Sequence, residues 1–393
     1  MASVEANQPQ LILHVMLTLS NSLEQGLQVD SIYTDFSKAF DSVSHHILVH
    51  KLQMIGIFGP LLNWLRSYLL NRSQYVKIEG FLSNRVRVTS GVPQGAHLAP
   101  LLFNLYINDI TSNFQFCSAL LYADDLKLFA PVNTYYDCLA IQEDIDSLCK
   151  WSSINELKLN VDKCKIITFK KMRKLPTFFD YKIDNISLSK VYKIKDLGVT
   201  FDSDLTFYFH IDEILNRSNK MLGFIKRNTH DFRNPNAIRM LYFAYVMSIL
   251  EYCSLIWDPF YKFYIDLLET VQRKFVRYLC FKSNVPFSSH DYLNILTNFK
   301  LNTLAQRRNY HSIVFIFKLL NYLLICPCLV SKILLHVPLR TTRHNKLFNV
   351  SFHRTNYGKN SLIDRALNTC NTYDDIDYFS DSLRRIKTVV LKN

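Results

Sequence analysis

The chain has 393 residues, 49% hydrophobic and 20% charged, a balance that excludes a disordered chain and fits two or three globular domains. Its formal charge of +13 is uneven, with 8 Lys+Arg against 13 Asp+Glu in residues 1–149, 12 against 5 in 150–200 and 14 against 5 in 301–393; basic parts able to hold a polyanion follow an acidic front half. Nine scattered cysteines, with no paired C-x-x-C, argue against a disulfide scaffold and a zinc knuckle and for a reducing, intracellular setting, cytoplasmic, nuclear or both.

Residues 9–27 carry Leu11, Val15, Leu19 and Leu23 at helical spacing. VDSIYTDF (29–36) is a β-rich run that ends in acid. HHILVHKLQMIGI (45–57) and GPLLNWLRSYLL (59–70) are two helices parted by Gly59-Pro60. QYVKIEG (74–80) and NRVRVTSG (84–91) alternate as a hairpin does. LAPLLFNLYINDI (98–110) is helical, with Pro100 suited to a first turn. LLYADDLKLF (120–129) reads as a buried hairpin, DCLAIQEDIDSLCKWSSINEL (137–157) as a long amphipathic helix, KCKIITF (163–169) as a strand and YKIKDLGVTFDSDL (192–205) as a strand pair.

Helical patterns dominate from Phe207 onward: HIDEILNRSNKMLGFIKR, NAIRMLYFAYVMSILEY and YIDLLETVQRKFVRYLC. The run IVFIFKLLNYLLICPCLV (313–330) has the length of a membrane span, but Lys318, Asn321 and Pro327 interrupt it, and a buried helix is expected. Cys326-Pro-Cys328 lacks further ligands and is read as structural.

The acids raise the functional question. Asp35 ends a β-rich run, and Asp124-Asp125 sit at a hairpin tip between apolar strands. Carboxylates brought together from adjacent strands repel unless cations lie between them. Hard oxygens suit Mg²⁺, and two ions about 4 Å apart can clamp the attacking and leaving oxygens of a phosphoryl transfer. Taken alone, Asp-Asp is a polar β-turn.

The neighbours weigh against that plain reading. TDFSKAFDSVSHHIL (34–48), SGVPQGAHLAPLLFNLYINDI (90–110), YADD (122–125), NELKLNVDKCKIITF (155–169) and DLGVTFDSDLTFYFHI (196–211) follow one another. In order and spacing they resemble the sequence boxes of reverse transcriptases of non-LTR (LINE-type) retrotransposons, jockey-like in particular. The resemblance implies an α+β fold, a right-hand polymerase palm with an antiparallel sheet, truncated fingers, a helical thumb and a helical C-terminal region. On that plan, residues 1–28 are a remnant of the fingers, 29–205 the palm and fingers, 206–300 a thumb-like region and 301–393 a basic C-terminal region.

The same resemblance implies the chemistry. Asp35, Asp124 and Asp125 are the catalytic and metal-binding set for two Mg²⁺ ions, with Mn²⁺ able to substitute. Phe40 lies under the incoming sugar and excludes a 2′-OH. Gln94 stands near the incoming nucleotide, and Lys163 or Lys165 near its triphosphate. Leu197-Gly198-Val199 grips the primer end. The partners are an RNA template, a DNA primer and dNTPs, with no membrane.

Residues 1–34 hold no Lys or Arg, where the family has basic residues for the triphosphate. The expectation is therefore an RNA-directed DNA polymerase from an N-terminally truncated open reading frame, with weak or no activity. The alternatives are a non-catalytic nucleic-acid-binding remnant of the palm and a nuclease using the same carboxylates. Phe40 and Gln94 argue against the nuclease, because hydrolysis needs no sugar gate.

Overall fold

The structure is a computed structural model and describes residues 8–171, 175–288, 290–336 and 346–391. The chain forms two compact units, one built on Gln25–Ile194 and the other on Ile12–Glu24 with Lys195–Asn393. The change of unit was expected near residue 205 and falls ten residues earlier.

The elements of the N-terminal half are α1 (Gln8–Glu24), β1 (Gln28–Thr34), α2 (His45–Met54), α3 (Gly59–Leu69), β2 (Ser73–Gln74), β3 (Lys77–Ile78), β4 (Phe81–Leu82), β5 (Val86–Arg87), α4 (Leu98–Ile107), β6 (Ser118–Tyr122), β7 (Asp125–Val132), α5 (Tyr135–Ile154), β8 (Lys165–Phe169), β9 (Lys182–Ile183), β10 (Ile186–Ser187) and β11 (Ser189–Lys190). The helix expected over 98–110 ends at Ile107 and continues as a 3₁₀ turn over Asn108–Asn113. The hairpin expected over 74–91 is a ribbon of two short pairs, β2 with β5 and β3 with β4.

The first unit is built on a five-stranded sheet in the order β11-β8-β1-β7-β6. All its pairings are antiparallel except β8 with β11. Strand β1 is central and nearly all buried, because neighbours bond to both its edges. Ile32, Leu128 and Ile166 of three adjacent strands join Leu48, Leu52, Phe103, Ile107, Ile141, Ile145 and Leu148 of the helices in one core. That core fixes which strand face points inward, since a slip of one residue would turn every apolar side chain outward.

Two buried acids hold this unit. Asp30 accepts hydrogen bonds from Gln28 Nε2 and the Tyr181 hydroxyl, each at 2.9 Å. Burial pushes its carboxyl above the ordinary range despite those bonds. Asp144, on α5, accepts from the backbone N–H groups of Gln115 (2.9 Å), Phe116 (3.0 Å) and Cys117 (2.6 Å). It thereby fixes the segment that leads into β6.

The second unit contains the hairpin of β12 (Lys193–Asp196) and β13 (Val199–Asp202), followed by helices. These are α6 (Tyr208–Asn228), α7 (Pro235–Tyr242), α8 (Ser248–Glu251), α9 (Ser254–Trp257), α10 (Lys262–Lys282), α11 (Tyr292–Asn298), α12 (Leu304–Leu320), α13 (Pro327–Val330), α14 (Asn356–Lys359), α15 (Leu362–Cys370) and α16 (Leu383–Leu391). Strand β13 is tied to α6. The Thr200 N–H donates to His210 Nδ1 at 3.3 Å, and its hydroxyl donates to Glu213 Oε2 at 3.0 Å. That attachment explains why the unit begins before residue 205.

The run expected as a single helix over 236–252 is broken by a π-helical turn, Phe243–Met247. Of the apolar run at 313–330, expected as a buried helix, only Ile313–Leu320 continues α12 and is largely buried; Tyr322, Leu323 and Ile325 beyond it are exposed, and Pro327–Val330 form the short α13. Among the described residues no helix is long and apolar enough to cross a membrane.

Of the 1–28 segment expected as a remnant of the fingers, the start of α1 groups with the first unit, and Ile12–Glu24, most of α1, with this second unit. Glu24 at its end lies against His353, with Nδ1 2.7 Å from Glu24 Oε1, while Asp364 Oδ2 is 3.0 Å from Nε2. Gly358 packs so closely that a Cβ there would overlap Glu24 and His353.

Asp144→Ala strips the acceptor from three N–H groups, one of them buried, and should cost about 3 kcal/mol, read as a fall in the urea midpoint. Burial alone would lower the His353 pKa, but hydrogen bonds and charge from Glu24 and Asp364 raise it above the ordinary 6.5. A raised folded-state value means that the stabilisation is complete below the ordinary value and is lost as pH climbs through the raised one. The gap in unfolding free energy between the wild-type chain and His353→Gln should therefore narrow as pH rises from acid to alkaline, in denaturant titrations at several pH values.

Candidate active site

Strand β1 leads into the site. Thr34 pairs with Leu126 of β7, and its hydroxyl donates to the Leu126 carbonyl at 3.1 Å. Asp35 is the residue after Thr34 and Asp125 the residue before Leu126, with Asp124 next to it in the turn. The other side of Asp35 is clasped by the segment before β8. Its carbonyl accepts from the Asn160 N–H at 2.8 Å, and the Ser37 N–H donates to the Lys158 carbonyl at 2.8 Å. The main chain at Asp35 is thus gripped from both sides.

Asp35 Oδ2 is buried and makes no hydrogen bond, and the Lys163 ammonium stands 3.3 Å from it. Sequence left Lys163 and Lys165 equivalent, and the structure separates them. Lys163 faces Asp35, whereas Lys165 opens β8, opposite Tyr33.

The hairpin that carries the other two acids closes on the pair Tyr122 and Asp125. Ala123 has φ +51°, the left-handed conformation that turns the chain within two residues. Asp124 is half-buried and Asp125 exposed, while Leu121 and Leu126 on either side are buried. Among the described residues no three His, Cys, Asp or Glu side chains converge closely enough to hold a metal ion. Asp35 follows β1, Asp124 and Asp125 stand at the β6–β7 turn, and Lys163 stands against Asp35.

Phe40 and Gln94, 54 residues apart in sequence, line one open cavity of about 530 Å³ with Gly95, Ala96 and the start of α4. The Phe40 ring stacks on Phe103, centroids 4.3 Å apart, so it is both core and cavity wall. Gln94 Nε2 donates to Asp41 Oδ1 at 2.9 Å, so Asp41 bonds locally. The two loops are joined through the main chain: Gly91 N–H to Val43 carbonyl at 2.8 Å, Val92 N–H to Phe40 carbonyl at 2.9 Å. Buried His45 reaches the Gly91 carbonyl through Nε2 at 2.8 Å. Sequence reasoning missed His45, and no local signal marks it out. Gly91 has φ +86°, and a Cβ there would lie 2.8 Å from Asp41 Cα.

The sequence profile of the reverse transcriptase (RNA-dependent DNA polymerase) family matches residues 5–201, half of the chain, and the chain belongs to that family. Within it the likeness is to jockey-like non-LTR elements. The chain is 26% identical over 258 residues to the probable RNA-directed DNA polymerase from transposon BS of Drosophila melanogaster, covering 63% of this chain and 28% of that protein. It is 26% identical over 215 residues to the RNA-directed DNA polymerase from mobile element jockey of the same species, covering 52% and 23%. The probable polymerase of the X-element is 28% identical over 211 residues, again covering 52% and 23%. The chain spans about a quarter of the length of these relatives. Among solved structures, telomerase from Candida tropicalis overlaps 76% of this chain and 49% of its own at 13% identity, with a TM-score of 0.39.

Gly91→Ala should cost about 3 kcal/mol, from left-handed strain and a clash with the Asp41 backbone. Gly95→Ala, with φ +82° but nothing within 4 Å, should cost only about 1 kcal/mol. Paired denaturant curves check the contrast.

Proposed function

We propose that this chain carries the palm of a right-hand polymerase and performs RNA-templated DNA synthesis, adding dNTPs to the 3′-hydroxyl of a DNA primer. The observation that supports the reading is the β1–β7 pairing, which ends at Thr34 and Leu126, the neighbours of Asp35 and Asp125, inside the segment that matches the family.

Asp35 and Asp124 would hold the divalent cations, two Mg²⁺ or Mn²⁺, with Asp125 beside them. The buried, hydrogen-bond-free Oδ2 of Asp35 is the kind of hard donor such ions take. When bound, the ions neutralise phosphate charge and acidify the attacking hydroxyl. The protein's own groups do the rest. Phe40, braced on Phe103, forms the floor under the sugar and excludes a 2′-OH by contact. Gln94, oriented by Asp41, bounds the same cavity. Lys163, already poised at a carboxylate, places a cation and a transferable proton near the triphosphate, and its position favours it over Lys165 for this role.

The helices of the second unit fit a thumb that holds the duplex. Arg217, Lys220, Lys226 and Arg227 on α6 and Arg273, Lys274, Arg277 and Lys282 on α10 fall in stretches, 214–228 and 270–282, that contain no Asp or Glu. The two helices pack together, and Lys274 Nζ donates to Asn219 Oδ1 at 3.0 Å. The Lys226 pKa is lowered by burial and then by the charges of Lys274 and Arg277. Cations at helix C-termini are favoured by the helix dipole, but mutual repulsion of this kind is relieved by a polyanion.

Primer extension on an RNA template with Mg²⁺ and dNTPs tests the reading. Weak extension by the wild-type chain, lost by a factor of about 10³ or more in Asp124→Asn with salt-dependent RNA binding unchanged, is the expected result. Binding without extension in the wild-type chain would reduce it to a nucleic-acid-binding palm.

A further inference from the structure

Cys326-Pro327-Cys328 plays no part in the site above. Cys326 precedes α13, whose first residue is Pro327. The two Sγ atoms are 3.3 Å apart, within roughly 1.3 Å of the length of a disulfide bond. Proline fixes its own φ, so the flanking thiols are held near one another with little freedom to lose on closing.

Accessibility singles out the same pair. All nine cysteines are free, and Cys328 alone is exposed; Cys326 is half-buried and the other seven are buried or half-buried. The thiolate is the reactive form, and access to it decides which cysteine is oxidised. Burial pushes up the thiols of Cys117, Cys138, Cys149, Cys164, Cys253, Cys280 and Cys370, which leaves them slow as well as shielded.

We propose that Cys326 and Cys328 form an oxidisable dithiol, a modification site for low-molecular-weight disulfides such as glutathione disulfide. The Cys328 thiolate attacks one sulfur of the oxidant, a mixed disulfide forms and the first small thiolate leaves. The Cys326 sulfur, after losing its proton to solvent, attacks Cys328 Sγ, and the second small thiolate leaves. Overall, the reagent's disulfide is reduced to two thiols, and the two protein thiols become one disulfide. Burial and the neighbouring sulfur push Cys326 up to about 11 in the reduced pair; the closing step needs its thiolate and therefore quickens as pH rises.

The test uses the whole reduced chain, incubated natively with glutathione disulfide and followed by intact mass and peptide mapping. The expected product has lost two hydrogens, mapped to the peptide that holds 326–328, and dithiothreitol reverses it. Cys326→Ser should stall as a glutathione adduct on Cys328, and Cys328→Ser should react about tenfold more slowly or less. A wild-type chain that keeps a stable adduct on Cys328 without closing, or that is modified first at another cysteine such as Cys149, overturns the proposal. The wild-type measurement alone decides this, whatever the variants do to folding.

Discussion

The antiparallel pairing of β1 with β7 is the constraint on which the site depends. Seven residue pairs run from Gln28 and Val132 to Thr34 and Leu126, and the last of them sets where Asp35 stands relative to the YADD turn. Side chains alternate along a strand, so a one-residue slip would turn Ile32 and Leu128 out of the core and carry Asp35 past the turn. The core therefore fixes the register of β1 on β7. Both ends of β1 reinforce it. At one end Asp30 is locked by Gln28 and Tyr181; at the other the Thr34 hydroxyl holds the Leu126 carbonyl. A carboxylate as buried as Asp30 costs free energy unless its bonds are made, so it penalises any register that breaks them.

Given that scaffold, the distribution of charge follows a simple logic. Asp35 follows β1 and Asp124-Asp125 stand at the β6–β7 turn, and the cation that meets Asp35 is a lysine with 67% of its side chain exposed. Such a screened pair is weak and yields readily to a stronger cation or to a phosphate that draws Lys163 away. The α6 and α10 stretches have the opposite imbalance, with eight cations and no carboxylate. Neither imbalance helps the isolated fold.

How much of this could be read from the sequence depends on where each signal lies. LLYADDLKLF was legible because alternation and a polar turn are local properties, and β6 and β7 fall where they indicate. The amphipathic helices α5, α6 and α10 were legible for the same reason. The stretch LYFAYVMSIL is apolar on every face, so periodicity could not show the π-turn at Phe243–Met247. Strand β9 is two residues long, and its Lys182 backbone bonds to a side-chain amide, with Gln142 both donating to its carbonyl and accepting from its N–H; no propensity encodes that. The attachment of α1 to the second unit rests on Glu24 and His353, which lie 329 positions apart.

The candidate residues divide along the same line. The residue types at the site were visible, because TDFSKAF, GVPQG and YADD are short and ordered. Their grouping was only partly so. Phe40 and Gln94 share a cavity because main-chain bonds from Gly91 and Val92 join their loops, and Gly91 is required there by its φ and by the nearness of the Asp41 backbone. The wall of the cavity is thus set by backbone geometry, which leaves the Phe40 and Gln94 side chains free to be chosen for what they contact. The choice between Lys163 and Lys165 illustrates the limit from the other side. Two lysines flanking Cys164 are equivalent in a sequence, and only the turn at Asn160, which bonds the Asp35 carbonyl, points one of them at the acid.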